Sequence, residues 1–297
     1  MFPQKFAVAG GTGNLGPTIV EALIDANFEV IILSRSSFHN VDPRAKLQVV
    51  DYAFLESLTA ALTGQDAVVN VLPSKIIPVE IHFQLIEAAH KAGVKRFLPS
   101  EYGCDTSHPP TAKLPIYCDD KVAVVKRLKE ISEQESTFTF TPIVTGLFFD
   151  WGIEKNFIVN LVGPLSPIYN GGDTLFSTST LSGIGRAVVG VREHSKETNN
   201  RHVYIASTTL TQNQLIEWAE KSDQLQREFV HTADLEEQAY KALKQTPPDA
   251  ETSMLNLIRC AIFDPRYRSA FSKVDNELLG VPVLPKSEIV EILQQYV

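Results

Sequence analysis

The stretch "AVAGGTGNLG", residues 7–16, decides the fold, because a short apolar strand runs directly into a glycine-rich turn. Its glycines form the pattern G-x-x-G-x-x-G, a variant of the dinucleotide-binding fingerprint. Glycine is needed where the chain turns sharply, where backbone approaches a pyrophosphate, and where helix and strand pack closely. The helix that follows presents free N–H groups and a partial positive charge to the phosphates. We therefore predict that the turn binds a dinucleotide cofactor through Gly10, Thr12, Gly13, Asn14, Leu15 and Gly16.

The rest of the first half alternates short apolar runs with amphipathic stretches. Near-continuous apolar strands separated by helices indicate a parallel sheet that is covered on both faces. The pattern predicts a doubly wound α/β fold of the Rossmann type, with its ligand crevice at the carboxyl ends of the strands. The predicted strands are 5–10, 29–34, 47–50, 66–72, 95–100 and 138–145, and the predicted helices are 15–26, 54–62, 79–92 and 117–133.

After about residue 146 the alternation of predicted strands and helices gives way to a stretch rich in aromatic residues, glycine and proline. We predict a dinucleotide-binding Rossmann domain over 1–146. A smaller α/β substrate-binding part over 147–297 is expected to interleave with the last sheet strands. Its predicted helices are 180–193, 211–222, 233–245, 251–262 and 286–296, and its predicted strands are 174–177, 202–206 and 226–230.

Composition excludes several classes of protein. The 297 residues carry a net charge of −8, and a surface of that sign repels phosphate backbones, so nucleic acid is not an expected partner. The cysteines at 104, 118 and 260 show no CxxC spacing, so neither a disulfide framework nor a metal site is expected. No run approaches the ~18 apolar residues of a membrane span, and no signal peptide is evident. We expect a soluble cytoplasmic protein, with its oligomeric state left open.

The ends of later strands bear on the cofactor. The second strand ends in "ILSRSS", where Arg35 stands in place of the acid that commonly holds the ribose of NAD. A guanidinium suits a 2′-phosphate, so we predict NADP(H), although a solvated loop arginine is the alternative. Asp51, after the third strand, faces either the adenine or the start of the next helix. Lys75, after the fourth strand, is a further candidate cofactor contact.

The segment "YCDDK" places Tyr117 four residues before Lys121. Residues at i and i+4 of a helix share one side, but the spacing recurs at Tyr240 and Lys244, so it decides nothing alone. Position separates the two pairs, because Tyr117 and Lys121 follow the fifth strand, whose carboxyl end should face the crevice. The alternative for the first pair is a capped helix start with a surface tyrosine.

Three segments resemble the isoflavone reductase-like, NmrA-like group of atypical short-chain dehydrogenases/reductases. They are "AVAGGTGNLG" (7–16), "AAHKAGVKRFLPSEYG" (88–103) and "YNGGDTLFSTSTLSGIGRAVVGV" (169–191), with "RFLPSEYG" the most specific. The resemblance implies an NADPH-dependent reductase of a small, aromatic or polyketide-like secondary metabolite, reduced at a carbonyl, enone or benzylic ether. The same group contains regulators that bind NADP without turnover and act through a protein partner, and this is the alternative function.

The resemblance also assigns roles to residues. The lysine that opens the helix after the fifth strand is the residue most often linked to catalysis in this group, and it falls on Lys121. Tyr117 restores the Tyr-x-x-x-Lys of ordinary short-chain dehydrogenases, and Ser100 lies near their catalytic serine. We expect Lys121 to lower the pKa of Tyr117 so that the tyrosine donates a proton, or to organise the donor itself. A flat substrate is expected to stack on Phe148, Phe149 and Trp151, whose alternative role is a core between the two parts.

Overall fold

Six parallel strands form the main sheet of this computed structural model, which describes residues 4–37, 41–117, 119–220 and 225–296. The strands are β1 (Lys5–Ala9), β2 (Glu29–Ser34), β3 (Lys46–Val49), β4 (Ala67–Asn70), β5 (Arg96–Leu98) and β6 (Thr139–Phe140). Their order is β3-β2-β1-β4-β5-β6, and each neighbouring pair is parallel. The direction of winding reverses between β1 and β4, so the crevice for a ligand opens at the carboxyl ends of these two strands. The predicted doubly wound fold is confirmed.

Helices cover both faces of this sheet, because its central strands are apolar on both sides; Ala7, Val8 and Ala9 of β1 are fully buried. The helices of the first half are α1 (Gly16–Asp25), α2 (Leu55–Leu62), α3 (Val79–Lys91), α4 (Pro109–Ala112) and α5 (Lys121–Gln134). Apolar side chains of α2, α3 and α5 form one core with the sheet: Leu58, Leu85 and Leu128. Helix α1 packs on the opposite face.

The second half adds short strands and helices around three small sheets, β12-β10-β8, β11-β7 and β13-β9. The strands are β7 (Ile143–Val144), β8 (Leu147–Phe148), β9 (Leu165–Tyr169), β10 (Phe176–Ser179), β11 (Val203–Tyr204), β12 (Thr208–Leu210) and β13 (Gln226–Val230). The helices are α6 (Phe149–Glu154), α7 (Leu181–Glu193), α8 (Gln212–Trp218), α9 (Thr232–Leu243), α10 (Ala250–Phe263), α11 (Asn276–Leu279) and α12 (Lys286–Gln294). Gly185 of α7 lies so close to α1 that an added Cβ would be 3.0 Å from Ala22 Cβ. The second half therefore also supplies part of the Rossmann core.

Several predicted boundaries differ from the structure. The predicted strand 138–145 is divided into β6 and β7, because Pro142 has no N–H for a ladder hydrogen bond. The predicted helix 117–133 begins at Lys121, so Tyr117 lies in the turn before it. The predicted helix 211–222 corresponds to α8, which ends at Trp218, and residues 221–224 lie outside the described chain. Among the helices that the structure describes, none is both long and apolar enough to cross a membrane.

Candidate active site

The glycine-rich turn links β1 to α1 at the winding reversal, and two of its glycines are required by close contacts. Gly10 adopts a φ of +87°, and a Cβ there would lie 2.9 Å from the carbonyl carbon of Val71. A Cβ on Gly16 would lie 2.3 Å from the Gly10 carbonyl oxygen, which also accepts a hydrogen bond from Gly13 N–H at 3.0 Å. The turn is therefore held tightly against β4 and the start of α1.

The outer side of the same turn is open. Thr12, Gly13 and Asn14 are exposed, whereas Leu15 is buried in the core beneath them. The nearest atom to an added Cβ on Gly13 is 3.4 Å away, so the structure itself leaves room for a side chain there. Leu15 gives α1 no side-chain cap, which leaves its first N–H groups for an external anion. This arrangement fits the pyrophosphate of a dinucleotide.

Arg35 and Asp51 follow the ends of β2 and β3, and both are exposed. The hydroxyl of Tyr52, next to Asp51, donates to Leu33 O at 3.1 Å, and burial raises the pKa of Tyr52 while the Arg35 guanidinium opposes the shift. Leu33 pairs with Ala9 of β1, so Arg35, two residues further along, lies beside the glycine turn, where a 2′-phosphate is expected. The Asp51 carboxylate accepts Ala53 N–H at 2.9 Å in the turn before α2. The capping alternative is wrong, because α2 begins after Phe54 and has no side-chain cap. The predicted adenine contact of Asp51 stays a prediction.

Lys121 is the first residue of α5, and its ammonium donates to the carbonyl oxygen of Glu101 at 2.6 Å. Gly103 lies beside this contact, since an added Cβ would be 3.5 Å from Lys121 Nζ, an ordinary van der Waals distance. Ser100 lines the same small cavity as Lys121 at the carboxyl end of β5. Burial lowers the pKa of Lys121, and the nearby Glu101 carboxylate partly opposes the shift. The site therefore favours release of a proton from Lys121.

Tyr117 contacts Lys121 through its ring, whose centroid is 5.6 Å from Nζ. The tyrosine is buried, and its side chain lies beside the Cys104 thiol. Burial, followed by the effect of Cys104, raises the pKa of Tyr117 well above 10. The expectation of a lowered pKa for Tyr117 is therefore wrong, because burial disfavours the charged phenolate. Tyr117 keeps its proton.

Lys75 turns toward the start of α5. Its backbone N–H donates to the Asp120 carboxylate at 2.8 Å, and its ammonium lies 3.4 Å from the other Asp120 oxygen and 3.9 Å from Asp119. Lys75 has a φ of +64°, which is uncommon for a residue with a side chain. The predicted cofactor contact of Lys75 stays a prediction, while the structure shows that it pairs with Asp120.

The three aromatic residues predicted to line a substrate pocket differ in burial. Phe149 is fully buried in the core of the second half. Phe148 and Trp151 are only partly buried, and Trp151 packs beside Phe157 with 5.9 Å between ring centroids. The carboxylate of Asp150, between them, accepts Leu181 N–H at the start of α7. Phe149 therefore has the alternative core role, and the substrate contacts of the other two stay predictions.

The family model described as the NmrA-like family matches residues 3–261. The chain belongs to the NmrA-like family. Oxidoreductase aprR of Aspergillus flavus is 31% identical over 302 aligned residues, which cover 96% of this chain and 97% of the relative. Oxidoreductase poxI of Penicillium oxalicum is 34% identical over 218 residues, covering 72% and 68% of the two chains. The solved binary complex of leucoanthocyanidin reductase with NADPH, from Vitis vinifera, has a TM-score of 0.75 at 21% identity and covers 98% of this chain and 99% of its own.

These matches confirm the family, the fold and the oxidoreductase class predicted for this NmrA-like protein. Sequence reasoning missed the main neighbours of Lys121, which are the Glu101 carbonyl, Cys104 and Asp120. A backbone carbonyl has no residue-type signature, and a thiol becomes a neighbour only through the path of the loop after β5. Cys118 lies outside the described residues, and within them no group of three or more His, Cys, Asp or Glu side chains could hold a metal ion.

Replacing Gly13 by aspartate is expected to weaken NADPH binding by about 100-fold, or about 2.7 kcal/mol. The side chain would extend into the open side of the turn and place a carboxylate against the pyrophosphate. The fold should tolerate the change because no protein atom lies within 3.4 Å of the new Cβ. Calorimetric titration with NADPH, together with the melting temperature of the unliganded protein, tests this. An unchanged Kd would place the cofactor elsewhere.

Proposed function

We propose that this protein is an NADPH-dependent reductase of a small aromatic or polyketide-like metabolite. The observation that carries the proposal is the ammonium of Lys121, held by the Glu101 carbonyl at the carboxyl edge of the sheet that also carries the glycine turn. In a doubly wound fold this edge is where a dinucleotide and its substrate meet. Bound NADPH would supply the hydride. The residues of this chain must then bind and orient the substrate and provide a proton.

Cofactor binding is assigned to three parts of the site. The exposed backbone at Thr12, Gly13 and Asn14, with the uncapped start of α1, holds the pyrophosphate. Arg35 binds the 2′-phosphate, since a guanidinium matches phosphate oxygens in a bidentate fork. Lys121 lies where it can also bind the nicotinamide ribose.

Lys121 is the proposed proton donor. Reduction of a carbonyl or enone leaves negative charge on the substrate oxygen, which a positioned acid must neutralise. The pKa of Lys121 is lowered by burial, which makes its ammonium a better acid, whereas the raised pKa of Tyr117 makes the phenol a poorer one. The ring of Tyr117 instead limits where the ammonium can move, and the hydroxyl of Ser100 is available to hold the substrate oxygen.

The substrate is proposed to be flat and largely apolar. Phe148 and Trp151 lie just beyond β7, near the loop that carries Gly103, and both are only partly covered by protein. Such side chains stack on aromatic rings and add few polar contacts. The names of relatives, which include isoflavone reductase homologs from Zea mays and Solanum tuberosum, support a phenolic class of substrate.

A panel of phenolic ketones, quinones and enones tests the proposal, with loss of the nicotinamide absorbance of NADPH as the measurement. Turnover of any compound that depends on Lys121 supports the reductase. Tight NADPH binding, no turnover across the panel and a cofactor-dependent protein partnership would instead favour the redox-sensing regulator.

Replacing Arg35 by glutamine should raise the Kd for NADPH by about 10- to 100-fold and leave the Kd for NADH within a factor of about two. Only the 2′-phosphate distinguishes the two cofactors, so the difference isolates that contact. Arg44→Gln is the matched control. Arg44 is an exposed arginine between β2 and β3, and it pairs with Asp25 and Asp42. An equal rise in the Kd for NADPH and for NADH would contradict the assignment of Arg35 to the 2′-phosphate.

A further inference from the structure

His82 of α3 is a buried histidine that the proposed chemistry does not use. It is 2% exposed, and its Nδ1 lies 2.9 Å from Asn70 Nδ2 at the end of β4. The Asn70 oxygen accepts Leu72 N–H at 3.1 Å, which orients the amide so that its nitrogen faces His82. The Asn70 N–H therefore donates to Nδ1, and the neutral imidazole carries its proton on Nε2. Burial lowers the pKa of His82, which favours this neutral form.

The Nε2–H of His82 has no hydrogen-bond partner among the described protein atoms. A buried donor of this kind is costly unless something accepts its hydrogen bond. His82 lines a cavity that offers about 10 Å³ to the centre of a water molecule, which is about the room that one water needs. The other lining residues are Ser74, Ser100, Glu101, Asp120, Lys121 and Val124.

We propose that His82 holds one buried water in this cavity, and that the water returns a proton to Lys121 after each turnover. The inference rests on the proposed function, since it assumes that Lys121 gives its proton to the substrate. The water would accept from His82 Nε2–H and lie between the amine of Lys121 and the carboxylate of Asp120. His82 is thus a positioning residue, because it acts through the water.

The proposed path leads from the cavity to solvent. The Asp120 side chain is only 8% exposed, but it lies 3.4 Å from the ammonium of Lys75, whose side chain is 31% exposed. After the ammonium of Lys121 protonates the substrate, its neutral amine takes a proton from the water. The water takes one from the Asp120 carboxyl group, which has taken it from solvent beside Lys75, so every group returns to its starting state. The charged residues that line this cavity with His82 are Asp120, Lys121 and Glu101, and Lys75 lies beyond Asp120.

The replacement His82→Phe keeps the ring and removes the donor. Lys121 of the resting enzyme already carries its proton, so rapid mixing with NADPH and a substrate should show a first turnover of normal rate and amplitude. Later turnovers should be at least about 10-fold slower and should show a larger solvent deuterium isotope effect than in the wild type. His82→Gln, which keeps an N–H donor, should restore most of the steady-state rate. His90→Phe is the control, because His90 lies on the same helix at the surface and pairs with Glu135.

Equal slowing of the first and later turnovers would overturn the proposal, as would an unchanged steady-state rate in His82→Phe. Crystal structures give a readout independent of activity. A water within hydrogen-bonding distance of His82 Nε2 in the wild type, lost in His82→Phe, supports the proposal, and its absence from the wild type overturns it. If the wild-type protein reduces nothing, the proposed function fails by itself, and these structures still test the water site.

Discussion

Replacing Lys121 by methionine is expected to lower kcat by about 10²- to 10⁴-fold, the usual contribution of a positioned acid. Methionine retains an apolar stem of similar length beneath the ring of Tyr117, so the packing at the start of α5 should survive. If Lys121 also binds the nicotinamide ribose, the KM for NADPH will rise as well. Steady-state kinetics with the best substrate of the phenolic panel is the measurement. A rise in KM alone, with kcat unchanged, would show that Lys121 contributes to binding and does not donate the proton.

The pH dependence of the wild type follows from the same residue. Activity should fall as pH rises through the pKa of Lys121, which burial places below its ordinary value of 10.5. The free energy of unfolding rises with pH between the pKa of Lys121 in the folded chain and its higher pKa in the unfolded chain, because the unfolded chain binds this proton more tightly. Deprotonation of Lys121 therefore cannot cause the loss of activity by unfolding the protein. Lys121→Arg should abolish this alkaline decline and remain slow, since a guanidinium holds its proton.

The matched control is Lys244→Met. Lys244 also lies four residues after a tyrosine, Tyr240, but both are exposed at the end of α9. The same chemical change there should leave kcat and KM within a factor of about two. A loss of activity comparable to that of Lys121→Met would show that the assay reports general damage to the protein.

The sheet could be predicted from the sequence because its determinants are local. Apolar runs of the right length, and the glycines at 10, 13 and 16, specify strands, turn and crevice without reference to distant residues. Pro142 shows the limit of such patterns. The run 138–145 alternates phenylalanine with threonine before Pro142 and continues with Ile143 and Val144, so it resembles a single strand. The partners of its two ends, β5 for β6 and β11 for β7, show that it forms two.

The candidate site was less predictable because its chemistry depends on burial. The spacing of Tyr117 and Lys121 favoured a shared helix, yet Tyr117 lies in the preceding turn and meets Lys121 through its ring. The direction of its pKa shift depends on how far Cys104 and the surrounding core exclude water, which no spacing encodes. His82 likewise reads as an ordinary apolar-face histidine until the orientation of Asn70 assigns its proton.

A large loss of stability is expected from Gly146→Ala, at the boundary between the two predicted parts. Gly146 has a φ of +62°, and a Cβ would lie 2.0 Å from the carbonyl oxygen of Ser177 in β10. Its N–H donates to Gly103 O at 2.9 Å, in the loop that packs against Lys121. Relief of the clash must move β10 or this loop, so we expect a loss of about 4 kcal/mol or more in the free energy of unfolding. Urea denaturation measures this loss.

Gly171→Ala separates the clash from the backbone strain. Gly171 has a φ of +83°, but nothing lies within 4 Å of an added Cβ, so only the cost of the left-handed conformation, about 1–2 kcal/mol, is expected. Failure of Gly146→Ala to fold, while Gly171→Ala folds, agrees with the prediction. Equal destabilisation of the two variants would show that the contact with Ser177 can relax at little cost. The loop at Gly103 would then be free to move relative to β10, and Lys121 would owe its position to α5 and the Glu101 carbonyl alone.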